Sequence, residues 1–111
     1  CGRHAKTWVE DGAPRCAVCG GPLRPDVVWF GEALPPAALN AAFHAAQNCE
    51  VFFSIGTSGL VEPAASLPWE ALRARAVVVE INPNPTPLSD AATYTLPGAA
   101  GQVLPELLSL L

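Results

Sequence analysis

Hydrophobic positions are spread unevenly along the chain, and a change of pattern near Asp26 divides it. Before that point apolar periodicity is weak: Lys6-Thr7-Trp8-Val9-Glu10 suggests one short strand, while Gly12, Pro14, Gly20, Gly21, Pro22 and Pro25 break up the rest. After it, Val27-Val28-Trp29-Phe30 is an apolar run that reads as a short strand ended by Gly31. Pro35-Pro36 then opens an Ala-rich segment through Asn48 in which Leu39, Ala42, Phe43 and Ala46 recur at helical spacing, which predicts a helix. Cys49 to Ile55 and Ala76 to Ile81 are continuous apolar runs, the signature of strands buried on both faces of a parallel sheet. Between them, Pro63 to Arg75 reads as a helical crossover. Strand, helix, strand, helix, strand predicts an α/β fold, part of a Rossmann-like doubly wound parallel sheet, because a parallel connection needs a crossover of this length. Residues 1–26 form a separate small module and 27–111 the sheet portion.

Composition sharpens this picture. Half of the 111 residues are apolar, enough for one modest core, yet 12 prolines and 9 glycines make the chain rich in loops. The net charge of −4 and the lack of a Lys/Arg cluster beyond Arg73 and Arg75 argue against binding to a nucleic-acid backbone. No apolar stretch approaches the length of a membrane span, so no membrane is expected as a partner. The cysteines lack the regular, even spacing of a disulfide framework, and the expected setting is a reducing cytoplasm.

The loop-rich first module needs something other than a core to order it, and its cysteines supply a candidate. Cys16-Ala17-Val18-Cys19 is a Cys-x2-Cys pair, and Cys1 lies upstream, so Cys1, Cys16 and Cys19 read as three ligands of a structural zinc site. Metal would then carry the folding of residues 1–25. A redox pair is disfavoured because Pro14 precedes the pair and Gly20-Gly21-Pro22 follows it, which is loop chemistry rather than a strand opening into a helix. Gly2 follows Cys1 as a glycine commonly follows the second cysteine of a knuckle, so the fourth ligand is expected just before Cys1 and the chain is expected to be a fragment. His4, at Cys-x2-His spacing, is the alternative fourth ligand. Cys49 sits at the edge of an apolar run and reads as a small buried hydrophobe, and His44 as a surface residue.

Ligands of doubly wound sheets bind beyond the carboxyl ends of the strands. Two loops of this chain are expected there. Strand Val51 to Ile55 runs into Gly56-Thr57-Ser58-Gly59, where glycine permits close backbone approach and hydroxyls and N–H groups suit a phosphate or ribose. Strand Val77 to Ile81 runs into Asn82-Pro83-Asn84, which can present amides to sugar hydroxyls. Each loop also has a plain reading, as a turn or as a strand stop.

Taken in order, four motifs carry a resemblance. The knuckle Cys16-x2-Cys19-Gly20-Gly21, the run Leu23-Arg24-Pro25-Asp26-Val27-Val28-Trp29-Phe30-Gly31-Glu32, the run Gly56-Thr57-Ser58-Gly59-Leu60-Val61-Glu62-Pro63-Ala64-Ala65 and Glu80-Ile81-Asn82-Pro83 together resemble the C-terminal half of a sirtuin. The second run is most similar to the class that includes bacterial deacylases and the mitochondrial desuccinylase. The resemblance implies an NAD-dependent protein-lysine deacylase that releases nicotinamide and forms O-acyl-ADP-ribose.

What it implies can be placed on residues. The carbonyl of Val28 would accept the acyl-lysine amide proton, Phe30 would line the lysine tunnel, and Gly31 and Glu32 would pair with the substrate backbone by strand addition. Gly56, Thr57 and Ser58 would hold the NAD phosphates and adenosine ribose, Val61 would lie near the nicotinamide ribose, and Asn82, with Pro83 and Asn84, would meet a ribose. Ala100, in the loop Gly98-Ala99-Ala100-Gly101, would contact adenine. Two positions depart from the family pattern: Glu62 stands where Tyr or Gln is common, altering the rim of the peptide cleft, and Asn84 where Glu is frequent, weakening a ribose contact.

The family's catalytic histidine, its Gly-Ala-Gly phosphate loop and its Gln-Asn-x-Asp nicotinamide segment precede the zinc module, and neither His4 nor His44 matches the catalytic position. The expected partners are therefore an acyl-lysine protein or peptide and the upstream half of the same domain, and the chain alone is expected to be inactive. The alternative is a stand-alone zinc-dependent interaction module derived from a sirtuin. An unrelated nucleotide-binding Rossmann protein leaves Val27 to Glu32 without a role.

Overall fold

The computed structural model describes residues 1–6 and 12–110, so most of the suggested strand Lys6 to Glu10 lies outside the described residues. These residues form two compact units, Cys1–Leu34 and Pro35–Leu111.

In the second unit, β1 (Val51–Ile55) and β2 (Val77–Asn82) form where the two apolar runs place them. A third strand, β3 (Tyr94–Pro97), completes a parallel sheet of order β1-β2-β3. The register pairs Val51 with Val77 through Ile55 with Ile81, then Val79 with Tyr94 through Asn82 with Pro97. Three helices accompany the sheet: α1 (Pro36–Asn48), α2 (Leu67–Arg73), which follows a single 3₁₀ turn at Ala64–Ser66, and α3 (Ala100–Leu108).

Pro36 starts α1 where its missing N–H is harmless, and the helix buries Ala46 with Leu39, Ala42 and Phe43 half-buried along the predicted stripe. His44 is exposed, as expected from the sequence, and Cys49, expected to be buried, is partly buried against the core. α2 ends in a pair of reverse hydrogen bonds, from Ala76 N–H to the Ala71 carbonyl and from Arg75 N–H to the Leu72 carbonyl, with Arg75 left-handed at φ 65°. That cap brings Ala71 and Ala76 together in the core with Val78 and Leu88, against which Phe52, Trp69 and Leu72 pack.

Two expectations need correction. The run Val51-Phe53-Ile55 is not buried on both faces: these side chains are 49%, 44% and 40% exposed, because β1 is an edge strand and only the face carrying Phe52 and Ser54 is covered. Val27 to Phe30, in the first unit, is not a strand. No strand pairs with it among the described residues, and side chains meet its backbone instead: Arg24 donates to the Val27 carbonyl, and the Trp29 N–H donates to Glu32. An apolar run without a ladder partner has no reason to stay a strand.

Gly98 connects β3 to α3 with φ 150°, and its N–H donates to the Asn82 carbonyl at 3.2 Å. A Cβ there would meet Val103 Cγ2 at 2.7 Å. Gly98→Ala, made in the full-length protein, should therefore lose about 1–3 kcal/mol, from overpacking and a backbone region closed to alanine. Chemical denaturation checks it: a midpoint lowered at unchanged slope is expected, and an unchanged midpoint would mean that α3 simply moves aside.

Candidate functional site

Parallel pairing decides where the polar loops go. Because β1 and β2 run in the same direction and in register, their carboxyl ends emerge side by side, and the Gly56 N–H donates to the Ile81 carbonyl at 2.9 Å, one residue beyond the end of β1. Gly56 takes φ 64°, which turns the chain sharply into Thr57-Ser58. Asn82 then ties the two loops: its side-chain N–H donates to the Thr57 carbonyl at 2.7 Å, and its carbonyl oxygen accepts from Asn84 N–H at 3.2 Å. The Thr57 hydroxyl turns back to accept from Gly59 N–H.

Beside these loops lies an open groove of about 610 Å³. Gly56, Thr57 and Ser58 form one wall and Asn82 through Pro87 another; Leu60, Ala99 and Ala100 complete the lining. The structure thus brings together Gly56, Thr57, Ser58, Asn82, Pro83, Asn84 and Ala100 around one space. Val61 is not in the lining; its carbonyl accepts from Ala65 N–H instead. Ala100 is the first residue of α3 rather than part of a loop, and no side chain caps that helix, so its leading N–H groups are left for a ligand or water. Sequence reasoning did not single out Leu60, Pro85, Thr86, Pro87 or Ala99. The alternation Asn82-Pro83-Asn84-Pro85-Thr86-Pro87 was the available signal, since proline at every second position holds a loop extended and fixed in shape.

In the first unit, a tight hairpin carries the cysteine pair. Cys16 N–H donates to the Gly21 carbonyl and Gly20 N–H to the Cys16 carbonyl, both at 2.8 Å, beneath an antiparallel bridge between Arg15 and Pro22. The sulfurs of Cys1, Cys16 and Cys19 lie within 4.8 Å of one another, and those of Cys1 and Cys16 are 3.7 Å apart. Four thiolates around one tetrahedral zinc at about 2.3 Å each would be about 3.8 Å apart, so the spacing fits a metal ion. Backbone N–H groups of Cys19 and Val18 aimed at its sulfur push the Cys16 thiol below its ordinary pKa, favouring the thiolate that a metal binds. His4 is outside this cluster: its Nδ1 lies 3.5 Å from the Asp26 carboxylate, and both side chains are exposed.

The run from Val27 to Glu32 is held by a clasp. Arg24 reaches Glu32 through two hydrogen bonds of 2.7 and 3.0 Å, bonds the Val27 carbonyl at 2.6 Å and lies over the Trp29 ring, its guanidinium 5.7 Å from the ring centre. Within the run, the Val28 carbonyl accepts no hydrogen bond among the described residues, and Phe30 is 90% exposed at the tip. Gly31 takes φ 87° to close the turn, and Glu32 N–H donates to the Trp29 carbonyl at 3.0 Å.

The Arg24 guanidinium, helped by the Trp29 N–H, holds the Glu32 carboxyl down to about 2. A depressed carboxyl favours the folded clasp at pH above the ordinary value of 4.5, and that contribution is lost as pH falls from there through about 2. An NMR titration of the Glu32 carboxyl should give a midpoint well below 4.5, returning toward it in Arg24→Ala. Equal midpoints in the two proteins would show that the pair does not form in solution.

Comparison with known proteins agrees with this geometry. The Sir2 family model matches residues 3–63, more than half of the chain. An NAD-dependent protein deacylase of Methylococcus capsulatus is 57% identical over 98 residues, which are 88% of this chain and 38% of that protein. NAD-dependent protein deacylase 1 of Pseudomonas aeruginosa is 56% identical over 95 residues, 86% of this chain and again 38% of the relative. The chain thus spans well under half the length of these relatives. Among solved structures, a Sir2 homolog in complex with NAD matches with a TM-score of 0.80 at 46% identity, over 88% of this chain and 38% of that one. Sir2Tm bound to a propionylated peptide matches with a TM-score of 0.78 at 31% identity, over 87% of this chain and 41% of that one. With its parallel Rossmann-like sheet and its ordered motifs, the chain belongs to the Sir2 family.

Proposed function

We propose that this chain is the metal-supported module and distal cofactor-binding part of an NAD-dependent protein-lysine deacylase. The observation that carries the reading is the groove at the carboxyl ends of β1 and β2, where Asn82 locks the loops Gly56–Ser58 and Asn82–Asn84 against each other. NAD would supply the ribose carbon that the acyl oxygen attacks, with nicotinamide leaving; one water and cleavage of the lysine amide C–N bond then complete the balance, giving the free lysine amine and O-acyl-ADP-ribose. The chain's own residues bind and orient. Gly56, Thr57 and Ser58 offer N–H and hydroxyl donors to phosphate and ribose. Asn82, with one amide hydrogen and one lone pair beyond those that tie the loops, can add a ribose contact.

The substrate would be an acyl-lysine protein or peptide. Val28, whose carbonyl accepts no hydrogen bond among the described residues, and the exposed Phe30 support docking along the run ending in Gly31 and Glu32. The exposed edge and apolar face of β1 support packing against the upstream half of the same domain, and the catalytic histidine would come from there. On this reading the chain alone is inactive. Free thiols serving as metal ligands suit a reducing compartment such as the cytoplasm.

Zinc is the metal we assign to the three cysteines, with a fourth ligand outside the described cluster. In the full-length protein, Cys16→Ser should lose about one zinc per chain and melt the module, while His4→Ala should keep its zinc. Metal analysis decides both: full zinc in Cys16→Ser would remove the metal assignment, and loss in His4→Ala would make His4 a ligand.

Ser58→Ala and Asn82→Ala in the full-length protein should each raise the NAD dissociation constant about ten-fold, as expected for losing a hydrogen bond of about 1–3 kcal/mol. Zinc content should not change. Lowered melting temperature with wild-type NAD affinity would reduce these residues to turn formers, and a full-length protein with bound zinc but no NAD binding would favour an interaction module instead.

A further inference from the structure

Glu80 is a charged residue buried in the middle of the sheet. It is 1% exposed, and no basic side chain pairs with it among the described residues. A carboxylate in such a place needs hydrogen-bond donors, and it has two: the Thr86 hydroxyl donates to Oε1 and the Ser89 hydroxyl to Oε2.

What else the hydroxyls do is consistent with this direction. Thr86 Oγ1 accepts from Leu88 N–H at 3.1 Å, and Ser89 Oγ accepts from Thr86 N–H at 2.8 Å. Each hydroxyl has one proton and two lone pairs; an N–H group takes one lone pair, and the proton is given to Glu80. The site therefore asks for an acceptor at both oxygens. A carboxylate provides that and an amide does not.

The loop so held is the one that walls the groove. Residues 83–89 contain Pro83, Pro85 and Pro87, which have no N–H to give. The remaining N–H groups go to Asn82 Oδ1 from Asn84, to Ser89 Oγ from Thr86, to Thr86 Oγ1 from Leu88 and to the Thr86 carbonyl from Ser89. Three of these four bonds end on Thr86 or Ser89, the two residues that Glu80 anchors. Glu80 and Asn82 stand two apart on β2 and so share a face: one fixes the far end of the loop, the other its start.

We propose that Glu80 is a positioning residue for the cofactor, its carboxylate holding the proline-rich loop 83–89 in the shape that forms one wall of the groove. It acts through Thr86 and Ser89 and touches no ligand itself. The inference rests on the reading of the groove as an NAD site.

The test uses full-length wild type and Glu80→Gln, titrated with NAD well below both melting temperatures, with amide hydrogen exchange followed in parallel. Gln keeps the size but sets an N–H₂ donor against one hydroxyl. Glu80→Gln should raise the NAD dissociation constant about ten-fold or more, the effect of mismatching one buried hydrogen-bonding group. Exchange at Thr86 and Leu88 should quicken while Val78 and Val79 in the sheet stay protected. A lowered melting temperature with NAD affinity within about two-fold of wild type would overturn the proposal, leaving Glu80 a purely structural residue. Should Glu80→Gln fail to fold, Thr86→Val and Ser89→Ala remove one hydroxyl each; weaker NAD binding in both supports the proposal, and wild-type binding in both overturns it. Failure of the NAD reading itself shows separately, as a wild-type titration without binding, and this inference falls with it.

Discussion

The in-register parallel pairing of β1 with β2 is the constraint on which the rest of the sheet unit depends. Parallel strands need a crossover, and the 3₁₀ turn with α2 supplies it on the face that carries Phe52 and Val78. Aligned carboxyl ends follow, and with them the adjacency of Gly56–Ser58 and Asn82–Asn84. A slip of one residue would turn Glu80 to the opposite face, away from Thr86 and Ser89, and would move Asn82 off Thr57. Fold and candidate site are thus set by the same hydrogen-bond ladder.

Polar groups, with one apolar anchor at Leu88, shape the groove. Leu88 anchors the end of one loop in the core, and bonds from Asn82, Thr86 and Ser89 to backbone and to Glu80 fix the rest. Each such bond contributes only about 1 kcal/mol net, but leaving its buried partner unmet costs about 1–3 kcal/mol. This asymmetry, together with Leu88 seated in the core, explains how the loop is held in one conformation. The cysteine hairpin follows a different logic: its own hydrogen bonds close a turn but bury little, and its three clustered cysteines could hold a metal ion, which would add folding free energy.

Much of this was legible in the sequence as apolar runs and stripes of helical spacing. The stripe Leu39-Ala42-Phe43-Ala46 and the runs ending at Ile55 and Ile81 became α1, β1 and β2, and Pro63 to Arg75 became the crossover. Pattern failed where an apolar run has no strand partner among the described residues. Val27 to Phe30 looks like a strand, but Arg24 and Glu32 supply its backbone partners from positions that no periodicity reveals. β3 escaped notice because Tyr94-Thr95-Leu96-Pro97 is short and mostly exposed, and α3 because Gly98 precedes it and Gly101 and Pro105 lie inside it, all of which read as breakers. Glu80 stood within a quoted motif, yet its burial depends on two hydroxyls, six and nine residues on, that only the folded loop brings to it.

The central claim is that the carboxyl ends of β1 and β2 form a nucleotide site. The most direct measurement is the map of backbone amide NMR shifts in the full-length protein as NAD is added to saturation. The account predicts changes concentrated at Gly56, Thr57, Ser58, Asn82, Asn84 and Ala100, with the face of α1 carrying His44 unchanged. Saturable binding that leaves those six amides unmoved, with shifts elsewhere in the chain, would contradict it.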